Sequence, residues 1–122
     1  MTYVFAERAM SQPKSFPMAE EIPPGFWEIG VADLSELGPE VRVIDVRELP
    51  ELAQLPALEG AEHAPMSSLQ PVIDEWSTDA AYVIVCAGGV RSANVALYMQ
   101  QKGFADVVSL RGGMMDYAMR RR

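Results

Sequence analysis

The sequence predicts an α/β protein built on a parallel sheet with helices on both faces. Short apolar segments alternate with segments of helical pattern from Phe26 onward, and strands separated by helices pair in parallel through right-handed crossovers. Residues 41–45 are rich in β-branched side chains and lack regular polar alternation, as expected of a strand buried on both faces. The length of 122 residues suits one domain.

The apolar segments set the order of the predicted elements, and Tyr82–Val85 is the most strand-like of them. The predicted strands span Phe26–Ile29, residues 41–45, residues 61–64, Tyr82–Val85 and Val107–Leu110. The predicted helices span residues 31–37, 48–55, about 67–76, 92–102 and about 114 to the C-terminus. Ser67 or Ser68 is expected to cap the third helix, and Gly103 to end the fourth.

Residues 1–25 are predicted to form an irregular N-terminal arm ahead of a domain over residues 26–122. The Pro-Pro-Gly step at 23–25 indicates a hinge between the two. Aromatic side chains in the arm, such as Tyr3, Phe5 and Phe16, indicate that it packs against something. Two interpretations remain open: the arm lies on its own domain, or it contacts a second copy or another partner.

The charge balance limits the partners. Ten Lys and Arg against 17 Asp and Glu give a net charge of −7, which disfavours nucleic acid and anionic membranes. An anionic substrate must therefore be held by local positive groups. The N-terminus lacks the pattern of a secretory signal, and the longest apolar run, residues 80–87, is too short to span a bilayer. We expect a cytoplasmic protein, as a monomer or homodimer.

The single cysteine, Cys86, excludes an internal disulfide and a resolving cysteine in the same chain. An oxidised form of this residue must therefore be discharged by another molecule. One histidine and one cysteine do not make a common structural zinc site, so we expect neither a metal nor a cofactor.

The loop after the best predicted strand is the candidate site, because sites in parallel α/β folds lie beyond the carboxyl ends of strands. Small residues there let backbone N–H groups turn inward into an anion-binding nest, and the following helix adds its positive end. A thiol at the centre is favoured as the nucleophilic thiolate, and a persulfide formed on it would use the same nest. The loop consists of Cys86, the predicted nucleophile, and Ala87, Gly88, Gly89, Val90, Arg91 and Ser92.

A buried structural cysteine beside an incidental glycine pair is the simpler alternative, because free cysteine is often buried. The order strand, Cys, Gly-Gly, Arg, Ser and helix favours the functional interpretation. Arg91 is expected to point into the loop or to brace its carbonyls, and Ser92 to cap the helix.

Four motifs together resemble the rhodanese family of sulfurtransferases in its single-domain form. They are Val-Ile-Asp-Val-Arg-Glu at 43–48, Gly60-Ala61 with Pro65, the loop at 86–92, and Gly103-Phe104 followed by Leu110-Arg111-Gly112-Gly113. The resemblance covers about residues 26–118. It implies a five-stranded parallel sheet with helices on both faces and a persulfide carried on Cys86. It also implies thiosulfate or another sulfane donor, and cyanide or a thiol as acceptor.

The chain departs from that family at two places. Residues 55–58 lack the Gly-His step found in many members, and Tyr117 stands where Trp is usual. The loop has no cation except Arg91, so thiosulfate is expected to bind weakly. Asp45 and Arg47 are expected to form an ion pair that organises loops, with substrate contact as the alternative, and Arg111 is considered as a second positive group near the mouth. His63 is a less favoured candidate for a base.

Three other functions remain as alternatives. The domain could be a carrier that takes persulfide sulfur from a sulfur-relay protein and passes it on. It could also be a rhodanese-like interaction module with an idle site. A phosphatase or arsenate reductase is disfavoured, because such enzymes place five residues between Cys and Arg, whereas four residues separate Cys86 from Arg91.

Overall fold

The computed structural model describes residues 12–23 and 25–120. Within this part of the chain the sheet contains six strands in the order β1-β2-β6-β5-β3-β4. These strands are β1 (Glu20–Ile22), β2 (Phe26–Ile29), β3 (Arg42–Asp45), β4 (Glu62–His63), β5 (Tyr82–Val85) and β6 (Val107–Leu110).

All pairings in the sheet are parallel except that of β1 with β2. The predicted α/β class is confirmed. The expected count of five strands is corrected to six, because β1 arises from residues predicted to be irregular. Its Glu20 lies directly opposite Glu28 on β2, a like-charge pair that alone would oppose strand pairing. Arg111 bonds both carboxylates, at 2.8 and 3.2 Å, and offsets that repulsion.

The helices occupy the predicted intervals but are shorter in the first half of the chain. They are α1 (Leu49–Gln54), α2 (Leu69–Ile73), α3 (Val90–Gln101) and α4 (Gly113–Arg120), with 3-10 helices over Val31–Glu36 and Met66–Ser68. No side-chain hydrogen bond from Ser68 caps α2, and the Ser67 hydroxyl lies 2.8 Å from a Glu48 carboxylate oxygen instead. Helix α3 begins at Val90, two residues earlier than predicted, because Gly89 turns the chain with φ 105°. The prediction that Ser92 caps this helix is therefore wrong, since Gly89 is the N-cap and Ser92 lies in the first turn.

Two apolar clusters lie on opposite faces of the sheet. On one face Ile44 and Ile84 pack against side chains of α2 and α3, such as Leu69 and Val95. On the other face Val83, Val85, Val108 and Leu110 pack with Met114 of α4 and Phe16 of the arm. Cys86 belongs to the first cluster, so the candidate nucleophile sits at the edge of a tightly packed core.

The described part of the arm lies against the domain. Phe16 is fully buried, and the backbone N–H of Ser15 donates to Asp106, just before β6, at 3.0 Å. Residues 1–11, with Tyr3 and Phe5, lie outside the described residues. No helix in the described ranges is both long and apolar enough to cross a bilayer.

Candidate active site

Two backbone N–H groups point at the sulfur of Cys86 from the loop that joins β5 to α3. The N–H of Gly89 lies 3.1 Å from Sγ, and the N–H of Ser92 lies 3.3 Å from it. The Ser92 hydroxyl adds a third polar contact at 3.4 Å. Donors aimed at one sulfur favour its anionic form over the thiol, so the loop is suited to hold a thiolate.

Cys86 lies at the floor of this loop and is 1% exposed. The space above the neighbouring Gly88 is open, since a Cβ built there would meet no atom within 4 Å. Val90, at the rim, is 74% exposed. The loop therefore presents an open side at Gly88, where no side chain stands.

The start of α4 holds the loop carbonyls away from the sulfur. The N–H groups of Met114 and Met115 donate to the carbonyls of Cys86 and Ala87, each at 2.9 Å. Gly113 permits this approach, because its φ is 59° and an added Cβ would collide with the carbonyl oxygens of Cys86 and Ala87. These contacts fix the first two peptide units of the loop, next to the Gly89 N–H that points at the sulfur.

The guanidinium of Arg91 lies on Glu51 of α1 rather than inside the loop. Two hydrogen bonds, 2.8 and 2.7 Å long, join the two side chains. This hydrogen-bonded pair lowers the pKa of Glu51 from 4.5 to about 2 and raises the pKa of Arg91. The expectation that Arg91 braces loop carbonyls is therefore wrong, because a carboxylate in bidentate geometry is the stronger acceptor.

Asp45 and Arg47 form a buried ion pair at the end of β3. The guanidinium bonds both carboxylate oxygens of Asp45, with Nε–Oδ1 at 3.0 Å and Nη2–Oδ2 at 2.9 Å. Their side chains are only 1% and 2% exposed, respectively. His63 contacts the backbone carbonyl of Arg47 at 2.7 Å through Nε2. The three residues thus hold the segment that faces the Cys86 loop.

Arg111 follows β6, and its guanidinium points to the edge of the sheet that β1 and β2 form. Its ion pairs with Glu20 and Glu28 hold it on β1 and β2. Its charge is therefore engaged by two carboxylates at the sheet edge.

A cleft of about 280 Å³ lies beside the loop. Its walls are mostly apolar, and the charged groups in them are Arg47 and Glu51, which are already paired with other side chains. The lining residues are Arg47, Pro50, Glu51, Gln54, Leu55, Ala87, Met114 and Met115. The cleft is suited to an apolar or weakly charged group beside the Cys86 loop.

Two residues that shape this site, Glu51 and Ser109, were not among the predicted site residues. Glu51 is separated from Arg91 by 40 positions, so no local pattern joins them. Ser109 lies 2.7 Å from the Ser92 hydroxyl and is 1% exposed. The available signal for Ser109 was a lone hydroxyl in the otherwise apolar strand Val-Val-Ser-Leu.

Comparisons with known proteins identify the family of this chain. The family model of the rhodanese-like domain matches residues 31–120. The putative sulfurtransferase YtwF of Bacillus subtilis is 36% identical over 93 residues, which cover 74% of this chain and 88% of the relative. The thiosulfate sulfurtransferase GlpE of Pseudomonas fluorescens is 37% identical over 71 residues, covering 58% of this chain and 64% of the relative.

A solved structure supports the same assignment. The rhodanese-related protein of Thermoplasma volcanium superposes with a TM-score of 0.69 at 30% identity, over 76% of this chain and 91% of that one. The match spans most of both chains. This chain therefore belongs to the rhodanese-like domain family, whose relatives include sulfurtransferases.

Proposed function

We propose that this protein moves a sulfane sulfur from a donor to a thiophilic acceptor through a persulfide on Cys86. The observation that carries the proposal is the pair of N–H groups, of Gly89 and Ser92, that lie 3.1 and 3.3 Å from Sγ. Preorganised donors of this kind stabilise an anion without rearrangement. They serve the thiolate before transfer and the persulfide anion after it.

The reaction has two balanced halves. The Cys86 thiolate attacks the outer sulfur of thiosulfate, a new S–S bond forms, and the donor's S–S bond breaks to release sulfite. Cyanide or a thiolate then attacks the terminal sulfur, and the electron pair of the S–S bond returns to Cys86. The products are thiocyanate, or a persulfide on the acceptor, and the free thiolate. A reducing compartment such as the cytoplasm supplies thiol acceptors.

Steady-state formation of thiocyanate from thiosulfate and cyanide tests this function. We expect turnover by the intact chain and none by Cys86→Ser. Turnover that survives in Cys86→Ser would contradict the role given to this residue. Absence of sulfur uptake from every sulfane donor would instead favour an interaction module with an idle site.

A persulfide donor is a second candidate, favoured by the charges at the mouth. Thiosulfate carries two negative charges, whereas the loop's cation Arg91 is bound by Glu51 and the protein carries −7 overall. Exposed apolar side chains also occur on the elements that form the site, Leu49 on α1, Val90 on α3 and Met115 on α4. Such a rim suits contact with a persulfide-bearing protein or an uncharged alkyl persulfide.

Comparison of the two donor classes separates these candidates. Single-turnover loading of Cys86 is measured with thiosulfate and with an uncharged alkyl persulfide at equal concentrations. Faster loading by the persulfide, with little dependence on salt, supports the carrier function. Faster loading by thiosulfate supports the thiosulfate sulfurtransferase.

A further inference from the structure

A buried hydroxyl lies in the apolar strand behind the Cys86 loop. Ser109 of β6 is 1% exposed, while its neighbours Val107, Val108 and Leu110 are fully buried. A hydroxyl in such surroundings is costly unless it is hydrogen-bonded. Its partner is the Ser92 hydroxyl, itself fully buried, at 2.7 Å.

The sheet register places Ser109 on the same face as the nucleophile. Ser109 is paired with Ile84, and Ile84 and Cys86 both belong to the apolar cluster beneath α3. Val108 and Leu110 belong to the opposite cluster, as expected from the alternation of side chains along a strand. Ser109 therefore meets the first turn of α3 from below, where Ser92 lies.

The Ser92 hydroxyl has one proton and three neighbours that could receive it. These are the Ser109 hydroxyl at 2.7 Å, the Gly89 carbonyl, to which it donates at 3.2 Å, and the sulfur of Cys86 at 3.4 Å, which donates to it as a thiol and becomes an acceptor as a thiolate. If Ser109 donates its own proton to Ser92, the proton of Ser92 is left for the sulfur or for the carbonyl. A thiolate is the stronger acceptor of these two because it carries a full charge.

We propose that Ser109 is a positioning residue that donates to Ser92 and thereby directs the Ser92 hydroxyl at the thiolate of Cys86. This inference rests on the sulfur transfer proposed above. The sulfur of Cys86 carries the negative charge both as the attacking thiolate and as the leaving group that is displaced from the persulfide. Ser109 therefore stabilises this sulfur in both half-reactions.

The charged groups on the elements around the sulfur are the same in wild type and in a variant that lacks the Ser109 hydroxyl. They are the Arg91–Glu51 pair between α3 and α1, and the buried Asp45–Arg47 pair at the end of β3 with His63 against the Arg47 carbonyl. None of them hydrogen-bonds Ser109 in the contacts described above. Replacement of Ser109 by Ala removes a neutral hydroxyl and leaves these charges in place.

The test measures alkylation of Cys86 by iodoacetamide as a function of pH, followed by each half-reaction alone. In Ser109→Ala we expect the midpoint of the alkylation profile to move to higher pH. Alkylation and persulfide formation at neutral pH should slow about threefold to tenfold, the range expected for one hydrogen bond. Cyanide discharge of the preformed persulfide should also slow, because Cys86 then leaves as a less stabilised thiolate. Ser35→Ala, at an exposed hydroxyl on the 3-10 helix Val31–Glu36, is the matched control.

A double-mutant cycle shows whether Ser109 acts through Ser92. We expect Ser109→Ala to have no further effect on the alkylation profile in a Ser92→Ala background. A wild-type profile in Ser109→Ala, an unchanged rate of persulfide discharge, or additive effects in the cycle would overturn the inference. Because alkylation needs no sulfur donor, the profile is informative even if wild-type protein takes up no sulfur. Such a lack of uptake would refute the proposed function, whereas the alkylation profile would still test the positioning role of Ser109.

Discussion

Arg91 and Glu51 are joined by two hydrogen bonds of 2.8 and 2.7 Å, so the only cation of the Cys86 loop is bound to helix α1. The pair ties the start of α3 to α1 across the mouth of the site. It also leaves the inward N–H groups, rather than a free guanidinium, as the groups that hold an anion at the sulfur.

Glu51→Gln should reduce stability in a way that depends on pH. The pKa of Glu51 is about 2 in the folded protein against an ordinary value of 4.5. Its contribution is therefore fully present above about pH 4.5 and disappears as the pH falls through 2. We expect the variant to be less stable by at most about 1 kcal/mol at pH 7, because the pair is half-exposed.

Urea denaturation at a series of pH values measures this effect. The difference in unfolding free energy between wild type and Glu51→Gln should shrink toward zero between pH 4.5 and 2. A difference that is constant over this range would contradict the assigned ion pair.

Gly113→Ala should disrupt the Cys86 loop. The added Cβ would collide with the carbonyl oxygens of Cys86 and Ala87, which α4 holds in place. We expect sulfur loading to fall by about tenfold or more, because a small displacement of catalytic groups has large effects on rate. Gly60→Ala is the matched control, since Gly60 also has a positive φ, of 83°, but meets no atom within 4 Å.

The rate of sulfur loading, measured by stopped flow, and the thermal unfolding of both glycine variants distinguish backbone strain from damage to the Cys86 loop. Gly60→Ala should lose only about 1–2 kcal/mol of stability to its left-handed backbone and keep its loading rate. Equal loading rates in the two variants would contradict the role given to the close contact of Gly113 with the loop.

Asp45→Asn should destabilise the protein strongly by leaving the guanidinium of Arg47 buried without its charge partner. The side chains of this ion pair are almost inaccessible, and breaking such a pair costs about 3–5 kcal/mol. Glu62→Gln breaks the more exposed pair with Arg42 and should cost less than about 1 kcal/mol. Guanidinium denaturation gives both values, and a loss below about 1 kcal/mol in Asp45→Asn would contradict the role given to the Asp45–Arg47 pair.

Arg111→Gln should leave sulfur transfer intact while weakening the edge of the sheet. Its guanidinium offsets the repulsion between Glu20 and Glu28, which oppose each other on β1 and β2. We expect unchanged loading of Cys86 and increased hydrogen exchange at the β1 amides. A severalfold loss of thiosulfate loading at wild-type stability would return Arg111 to the substrate-binding groups.

The sequence predicted the parts of this structure that depend on local signals. Glycines followed by a helical pattern located the Cys86 loop, and apolar segments located the buried strands. Strand β1 was missed because its pairing depends on Arg111, which is 91 positions from Glu20. The orientation of Arg91 was missed for the same reason, since Glu51 reaches it only when β3 and β5 pair side by side in the sheet. Ser109 gains its significance only from the register that brings β6 beneath α3.

The intact mass of the protein after incubation with thiosulfate or an alkyl persulfide tests the central claim most directly. We predict a gain of one sulfur atom per chain in wild type, reversed by cyanide, and no gain in Cys86→Ser. A cyanide-labile sulfur retained by Cys86→Ser, or no gain by wild type with either donor, would contradict the account of Cys86 as the sulfur carrier.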